Sequence, residues 1–210
     1  MEFIHYTNQE TEKSFETIIE ASYQEVRQYL KHIPEKLDIY FGDKSIIIPE
    51  TGVGGFAYSH GIMTLAIDED FPDKKKQNAE LRATVFHESF HISQHFTGEE
   101  GFQTALNSAI YEGCATVFER AYAGTRAIHG DYSAHSDEQL ESWLIELKAV
   151  GSSYFEQKGV WEKWAFYNED LDQRWIVYKT GTWLIDRILQ KTGLDILDLQ
   201  DKTAEQILAL

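Results

Sequence analysis

The chain has one cysteine and three prolines among 210 residues. A single thiol cannot form a disulfide within the chain, so we expect Cys114 to be a buried and inert side chain. No stretch of apolar residues approaches the ~20 needed to span a bilayer. The first residues have neither the basic region nor the apolar region of a secretory signal. These absences predict a cytoplasmic protein that is not anchored in a membrane.

Basic residues are also scarce. There are 19 lysines and arginines against 35 aspartates and glutamates, which gives a formal net charge of −16. A surface of that sign repels phosphate backbones and anionic lipids, so we expect no binding to nucleic acid or to membranes. The length suits one domain over residues 1–210, with a lobe over about 1–98 and another over about 99–210.

The most informative pattern is His87-Glu88-Ser89-Phe90-His91, which reads H-E-x-x-H. On a helix, residues four apart lie on one face, so both imidazoles can bind one Zn²⁺ ion. Glu88 then lies beside the metal, where it can accept a proton from an activated water. The pattern therefore predicts two zinc ligands, His87 and His91, and a general base, Glu88.

The surrounding sequence favours a helix for this motif. The segment Lys74–Phe96 contains neither glycine nor proline. Pro72 and Asp73 precede it as start signals, and Gly98 follows it as a stop signal. A helix over this segment places His87 and His91 on the same face.

A catalytic zinc site needs a third protein ligand and leaves a further position for water. His95 is eight residues after His87, where the helical face has turned by roughly 80°. Gln94 and Thr97 also stand where a metzincin has glycine and histidine. We therefore expect His95 to be a surface residue or a residue that supports the site from outside the ligand set.

Glu112 is the preferred third ligand. It lies in a segment with helical periodicity, from about Phe102 to Tyr122, and the neighbouring face carries small residues. Gly113 beside it leaves room for another helix to approach. His129 and His135 could form a second metal site, but no matching ligand spacing accompanies them.

The order H-E-x-x-H, a spacer of twenty residues, and E-G-x-A resembles the gluzincin branch of zinc metallopeptidases. That branch includes thermolysin and a group of small predicted zinc-dependent proteases. The resemblance implies one Zn²⁺ held by His87, His91 and Glu112, with Glu88 as the catalytic base. It also implies a peptide or protein as the substrate.

The fold implied by this resemblance is α+β and zincin-like. A small antiparallel or mixed sheet packs on the H-E-x-x-H helix, and the C-terminal lobe is mainly helical. The sequence patterns predict an amphipathic helix over Glu12–Ile33 and strands over Leu37–Phe41, Ser45–Ile48 and Met63–Asp68. A last helix is expected over about Gln173–Gln190.

Two further roles follow only from the resemblance. Gluzincins bind the substrate backbone along an edge strand, and the matching segment here is Gly55-Phe56-Ala57-Tyr58. A plain hairpin loop is the alternative for that segment. Tyr178 could donate its hydroxyl to the oxyanion, or it could be a core tyrosine.

No Glu-containing segment for holding a substrate amine is present, so we expect an endopeptidase or an oligopeptidase. Two other interpretations stay open. One is an inactive zinc-binding interaction module of the same fold, which the intact Glu88 argues against. The other is a zinc hydrolase such as a deformylase, which needs a cysteine ligand upstream of the motif, whereas Cys114 lies downstream.

Overall fold

The structure is a computed structural model that describes residues 1–5, 13–42, 44–94 and 104–210, without the side chains of residues 3–5. The chain divides into two compact units, Met1–Thr97 with Phe118–Thr125, and Gly98–Val117 with Arg126–Leu210. Helices and a small mixed sheet confirm the predicted α+β class. No helix in the described ranges is long and apolar enough to cross a membrane.

The first unit contains a four-stranded mixed sheet. Its spatial order is β1 (Glu2–His5), β2 (Asp38–Phe41), β4 (Ile62–Ile67) and β3 (Val53–Ser59). Both β1 and β4 run parallel to β2, whereas β3 runs antiparallel to β4. Within the described chain, β3 therefore forms one edge of this sheet.

Two helices, α1 (Lys13–Val26) and α2 (Lys74–Ser93), belong to the same unit. Asp73 caps α2, because its Oδ1 accepts a hydrogen bond from Lys76 N at 3.0 Å, which confirms the predicted start. Apolar side chains of both helices and of the sheet form one buried cluster, which includes Phe15, Ile19, Tyr23, Ile39, Met63, Leu65, Leu81 and Val85. Burial of this surface fixes α2 on the sheet.

The helix α3 (Ala105–Phe118) continues directly into a π-helical turn, Glu119–Ala123. Gly124 ends the turn with a φ of +73°, a left-handed conformation that favours glycine. Phe118 packs in the first unit, with its ring centroid 5.7 Å from that of Phe86 and 5.1 Å from that of Phe90. These contacts hold the end of α3 against the H-E-x-x-H helix.

The second unit is mainly helical. Its remaining elements are α4 (Asp137–Val150), α5 (Ser153–Glu156), α6 (Val160–Ala165), β5 (Tyr167–Asn168), β6 (Gln173–Arg174), α7 (Ile176–Thr192) and α8 (Ala204–Leu208). β5 and β6 form an antiparallel pair. Gly193, with a φ of +72°, ends α7, which confirms the predicted last helix but begins at Ile176 rather than at Gln173, because Gln173–Arg174 pair as β6.

The close approach expected at Gly113 is provided by α7. A methyl group at Gly113 would collide with the backbone of Gly181, and a methyl group at Gly181 would collide with the carbonyl oxygen of Ala109. The α3 and α7 backbones therefore touch where neither helix has a side chain. This crossing fixes α3 at Gly113, the residue that follows Glu112.

Several predicted boundaries were wrong. Residues Ser45–Ile48 do not form a strand, because a 3₁₀ turn covers Lys44–Ile46 and Ile48 makes only an isolated bridge to Val53. The first helix ends at Val26 rather than at Ile33. After Val26 the backbone switches to tighter turns with hydrogen bonds between residues three apart.

Other parts of the prediction have mixed outcomes. The strand β1 was not predicted, because Glu2–His5 is too short to show a pattern. The strands β2 and β4 confirm the predictions over Leu37–Phe41 and Met63–Asp68. The H-E-x-x-H helix is described as far as Ser93, whereas its predicted end near Phe96 and the residue His95 lie outside the described residues. The single domain with two lobes stays a prediction.

Candidate metal centre

The H-E-x-x-H residues lie near the buried C-terminal end of α2. The exposed fractions of His87, Glu88 and His91 are 6%, 7% and 4%. The two imidazole ring centroids are 5.0 Å apart, as expected for helical residues four apart. Burying three polar side chains together is costly, so their presence at this point of α2 requires compensating partners.

Glu119 is a partner of His87. Its Oε2 lies 3.1 Å from His87 Nδ1, and the Glu119 side chain is itself buried. A carboxylate on Nδ1 fixes the imidazole ring and leaves Nε2 as the nitrogen that would coordinate a metal. Glu119 Oε1 accepts a hydrogen bond from the Thr125 hydroxyl at 3.2 Å, which orients the carboxylate in turn.

Glu112 is half-buried on α3 and precedes Glu119 by seven residues, nearly two helical turns. The two glutamates therefore share one face of the helix. Ligand-type atoms of His87, His91 and Glu112 all lie within 4.8 Å of one another. This His/Glu cluster could bind a metal ion, and the assignment of each residue as a ligand stays a prediction.

A second group of ligand-type atoms within 4.8 Å combines His87, Glu119 and His129. In this group, however, His87 and Glu119 already bond to each other through Nδ1 and Oε2. That contact is typical of a ligand and its supporting carboxylate rather than of two ligands on one ion. The group with His91 and Glu112 is therefore the better candidate for zinc.

Glu88 is held by the edge strand of the sheet. Its Oε2 accepts a hydrogen bond from the backbone N–H of Ala57 at 2.8 Å. The strand passes close to α2 at this point. A methyl group at Gly55 would collide with Thr84 and lie 3.0 Å from Glu88 Cγ. The absence of a side chain at Gly55 thus allows β3 to approach the candidate base.

The segment Gly55–Tyr58 belongs to β3, so the alternative of a plain hairpin loop was wrong. Gly55 pairs with Leu65 of β4, and the Leu65 carbonyl accepts a hydrogen bond from Gly42 N on the opposite side, at 3.1 Å. In an antiparallel ladder, hydrogen-bonded and non-hydrogen-bonded pairs alternate. The pair of Gly55 and Leu65 is therefore non-hydrogen-bonded, and the Gly55 backbone groups point away from β4.

The backbone groups of Val53 and Ala57, two residues on either side of Gly55, point in the same direction. The Val53 carbonyl accepts a hydrogen bond from Ile48 N at 3.1 Å, and the Ala57 N–H donates to Glu88. Both groups point away from β4. The backbone of Gly55 therefore faces the edge of the sheet, between the bridge to Ile48 and the contact with Glu88.

Tyr178 is half-buried in the first turns of α7. Its ring meets the ring of His129 edge to face, with centroids 5.0 Å apart. Tyr178 precedes Gly181 by one helical turn, so it lies near the crossing that also fixes Gly113. Its role as an oxyanion donor stays a prediction.

His135 has a different environment. Its Nε2 lies 3.3 Å from Lys179 Nζ and its Nδ1 lies 3.4 Å from Gln139 Oε1. Burial and the neighbouring Lys179 charge lower the pKa of His135. An imidazole that faces an ammonium group is not placed to bind a cation, and His135 is absent from the metal-type groups found among the described residues.

The electrostatic environment at the motif suits a cation. Burial and the nearby charge of Glu119 raise the pKa of Glu80, which lies two turns before His87 on α2. A raised carboxyl pKa indicates that negative charge is unfavourable there. With Glu88 and Glu119 buried close by, a divalent ion would offset this charge, and two imidazoles with one carboxylate are a donor set that suits Zn²⁺.

Sequence reasoning missed Glu119. The spacing of seven residues from Glu112 was the available signal, because it places both carboxylates on one helical face. The π-helical turn that begins at Glu119 could not be predicted, since such turns have no clear sequence pattern. The hydrogen bond from Ala57 to Glu88 was also missed, because it joins residues 31 positions apart.

A family model with the description "Predicted Zn-dependent protease (DUF2268)" matches residues 15–209. That range includes the motif, Glu112, Glu119 and Tyr178. No curated protein and no solved structure matches the chain.

The contact between Glu119 and His87 leads to a prediction. Substituting Glu119→Gln removes the negative charge from Nδ1, and we expect zinc affinity to fall about tenfold or more. Affinity can be measured by competition with a chromogenic chelator. Glu80→Gln is the matched control, because it removes a carboxylate of the same neighbourhood that does not bond to His87. Equal zinc affinity of Glu119→Gln and the wild type would contradict the supporting role.

Proposed function

We propose that this chain, which belongs to the family of predicted zinc-dependent proteases, hydrolyses peptide bonds at the H-E-x-x-H motif of α2. The observation that carries the proposal is the convergence of His87, His91 and Glu112 with Glu88 beside them. The substrate would be a peptide or a protein. We further place the chain in the gluzincin branch, because the third acidic ligand follows the motif on a separate helix.

The two imidazoles and the Glu112 carboxylate would hold one Zn²⁺ ion. When bound, zinc lowers the pKa of a coordinated water towards ~7 and polarises the scissile carbonyl. The chain supports the ligands from outside, since Glu119 orients His87 and the Phe118 contacts hold the end of α3. An oriented His87 would bind the ion with little reorganisation.

Glu88 is the general base in this proposal. The Ala57 N–H fixes Oε2, and we assign the proton transfer to Oε1. Glu88 takes a proton as the water attacks the carbonyl carbon, and it then gives that proton to the leaving amine. Because Glu88 is buried, bulk water does not compete for the transferred proton.

The edge strand β3 would bind the substrate backbone. The outward N–H and C=O groups of Gly55 can pair with an extended peptide, which then lies beside Glu88. Phe56, Ala57 and Tyr58 complete this substrate-binding segment. Pairing along an open edge does not require a free peptide terminus, so we propose an endopeptidase or oligopeptidase that acts in the cytoplasm.

The alternative is an inactive module that binds zinc and a partner. A module without catalysis has no need of an acid buried beside the ligands, whereas Glu88 is buried and anchored by a backbone donor. This arrangement favours the enzyme. We expect no nucleic acid or membrane partner, in line with the net charge of −16.

Substituting Glu88→Gln should keep the fold and the bound zinc but remove nearly all hydrolysis, because an amide cannot accept the proton. His91→Ala should lose zinc as well. Zinc content and cleavage of a broad peptide library measure both effects, and Glu141→Gln on the exposed side of α4 is the control. Cleavage by Glu88→Gln at the wild-type rate would show that Glu88 is not the base.

Tyr178→Phe tests the second catalytic assignment. The substitution keeps the ring and removes only the hydroxyl, so an oxyanion donor should lose about 10²–10³ in kcat with little change in KM. Tyr132→Phe removes a hydroxyl that donates to Asp186 at 2.7 Å in the same unit and serves as the control. If both variants kept wild-type kcat, Tyr178 would be a structural residue.

A further inference from the structure

Two aromatic side chains are exposed on the edge strand. Phe56 is 51% exposed and Tyr58 is 70% exposed, although both lie within β3. Ala57 between them is buried against the core of the unit. Large apolar side chains next to each other on an open sheet edge invite association with another strand or a ligand.

The strand geometry defines where the Phe56 and Tyr58 side chains point relative to the edge of β3. Gly55 and Ala57 direct their backbone groups outwards, a side chain at Gly55 would point to α2, and Ala57 lies on the same face because side chains alternate along a strand. Since side chains alternate along a strand, Phe56 projects from the opposite face of the sheet. Tyr58 is the extra residue where the register with β4 shifts, between Ala57 and Ser59. Such bulges re-aim a side chain next to a functional site.

A peptide paired with Gly55 would therefore place its side chains in two sets. Residues opposite Gly55 and Ala57 would face Glu88, and the residue opposite Phe56 would lie on the exposed face beside its ring. Directly opposed side chains in a sheet are about 4.5–5.5 Å apart at Cβ. The ring of Phe56 can therefore cover one side of that peptide side chain.

We propose that Phe56 and Tyr58 form an apolar subsite that selects substrates by an aromatic or branched aliphatic residue opposite Phe56. This inference rests on the proposed function and names the substrate feature that the same site recognises. The exposed rings lose contact with water when such a residue binds, whereas a small polar residue leaves them hydrated. Phe56 and Tyr58 act in substrate selection and not in the chemical step.

A peptide is a better occupant of this edge than a second copy of the chain. The register shift at Tyr58 interrupts the regular ladder that an edge-to-edge dimer would need. Each copy also has a net charge of −16, so two copies repel each other. A neutral or basic peptide is not repelled in this way, and a short peptide that pairs at Gly55 does not need the ladder to continue past Tyr58.

The experiment compares two extended peptides that differ only at alternate positions, with phenylalanine in one and serine in the other. The wild type is measured by cleavage, and the Glu88→Gln protein is measured by binding of the labelled peptides. Phe56→Ser and Tyr58→Ser are introduced into both. Tyr167→Ser is the matched control, because Tyr167 is a 46% exposed tyrosine on the short strand β5 of the other unit. Circular dichroism verifies that each variant is folded.

We expect the wild type to prefer the phenylalanine peptide. Loss of each ring should reduce this preference roughly fivefold, the effect of one cross-strand aromatic contact, while the Tyr167→Ser control keeps the wild-type preference. The same preference in Phe56→Ser as in the wild type would overturn the inference and leave the proposed hydrolysis intact.

Failure of the proposed function has a different signature. If the wild type cleaved neither peptide, the binding measurement would still decide whether Phe56 and Tyr58 form a peptide subsite. Binding of the phenylalanine peptide that Phe56→Ser weakens would support the subsite without hydrolysis, whereas no binding would overturn it. A dimer in sedimentation that Phe56→Ser dissociates would assign the edge to a second copy and also overturn the peptide subsite.

Discussion

Burial of charge on α2 is the constraint on which the rest of the site depends. The helix lies against the sheet with its C-terminal half almost wholly enclosed, and His87, Glu88 and His91 are enclosed with it. Polar groups in such a place need hydrogen bonds or an opposite charge. Glu119 meets the imidazole of His87, and the Ala57 N–H meets Glu88. A bound cation would complete the balance of charge.

The partners of Glu88 and His87 belong to different secondary-structure elements. Ala57 reaches Glu88 because β3 is an edge strand whose backbone turns outwards, and because Gly55 lets the strand approach the helix. Glu119 contacts His87 from the residue at which α3 changes to a π-helical turn. In the proposed function, the strand that holds Glu88 also binds a peptide along its edge. Positioning of the base and binding of the substrate would then depend on one element.

The sequence predicted the parts of the site that depend on local spacing. The helix over the motif, its start at Asp73 and the strands around Ile39 and Leu65 all follow from periodicity and capping. Long-range contacts were not predictable in this way. The parallel strand β1, the hydrogen bond from Ala57 to Glu88 and the pairing of Gly113 with Gly181 join distant segments, and no local pattern encodes them.

The proposed hydrolysis depends most directly on the identity of the metal ligands. A crystal structure with diffraction data recorded on both sides of the zinc absorption edge would locate the ion. We expect one anomalous peak, with His87 Nε2, a nitrogen of His91 and an oxygen of Glu112 about 2.0–2.2 Å from it. A zinc peak that lacks Glu112 among its neighbours, or zinc bound away from the motif in protein that contains the metal, would contradict it.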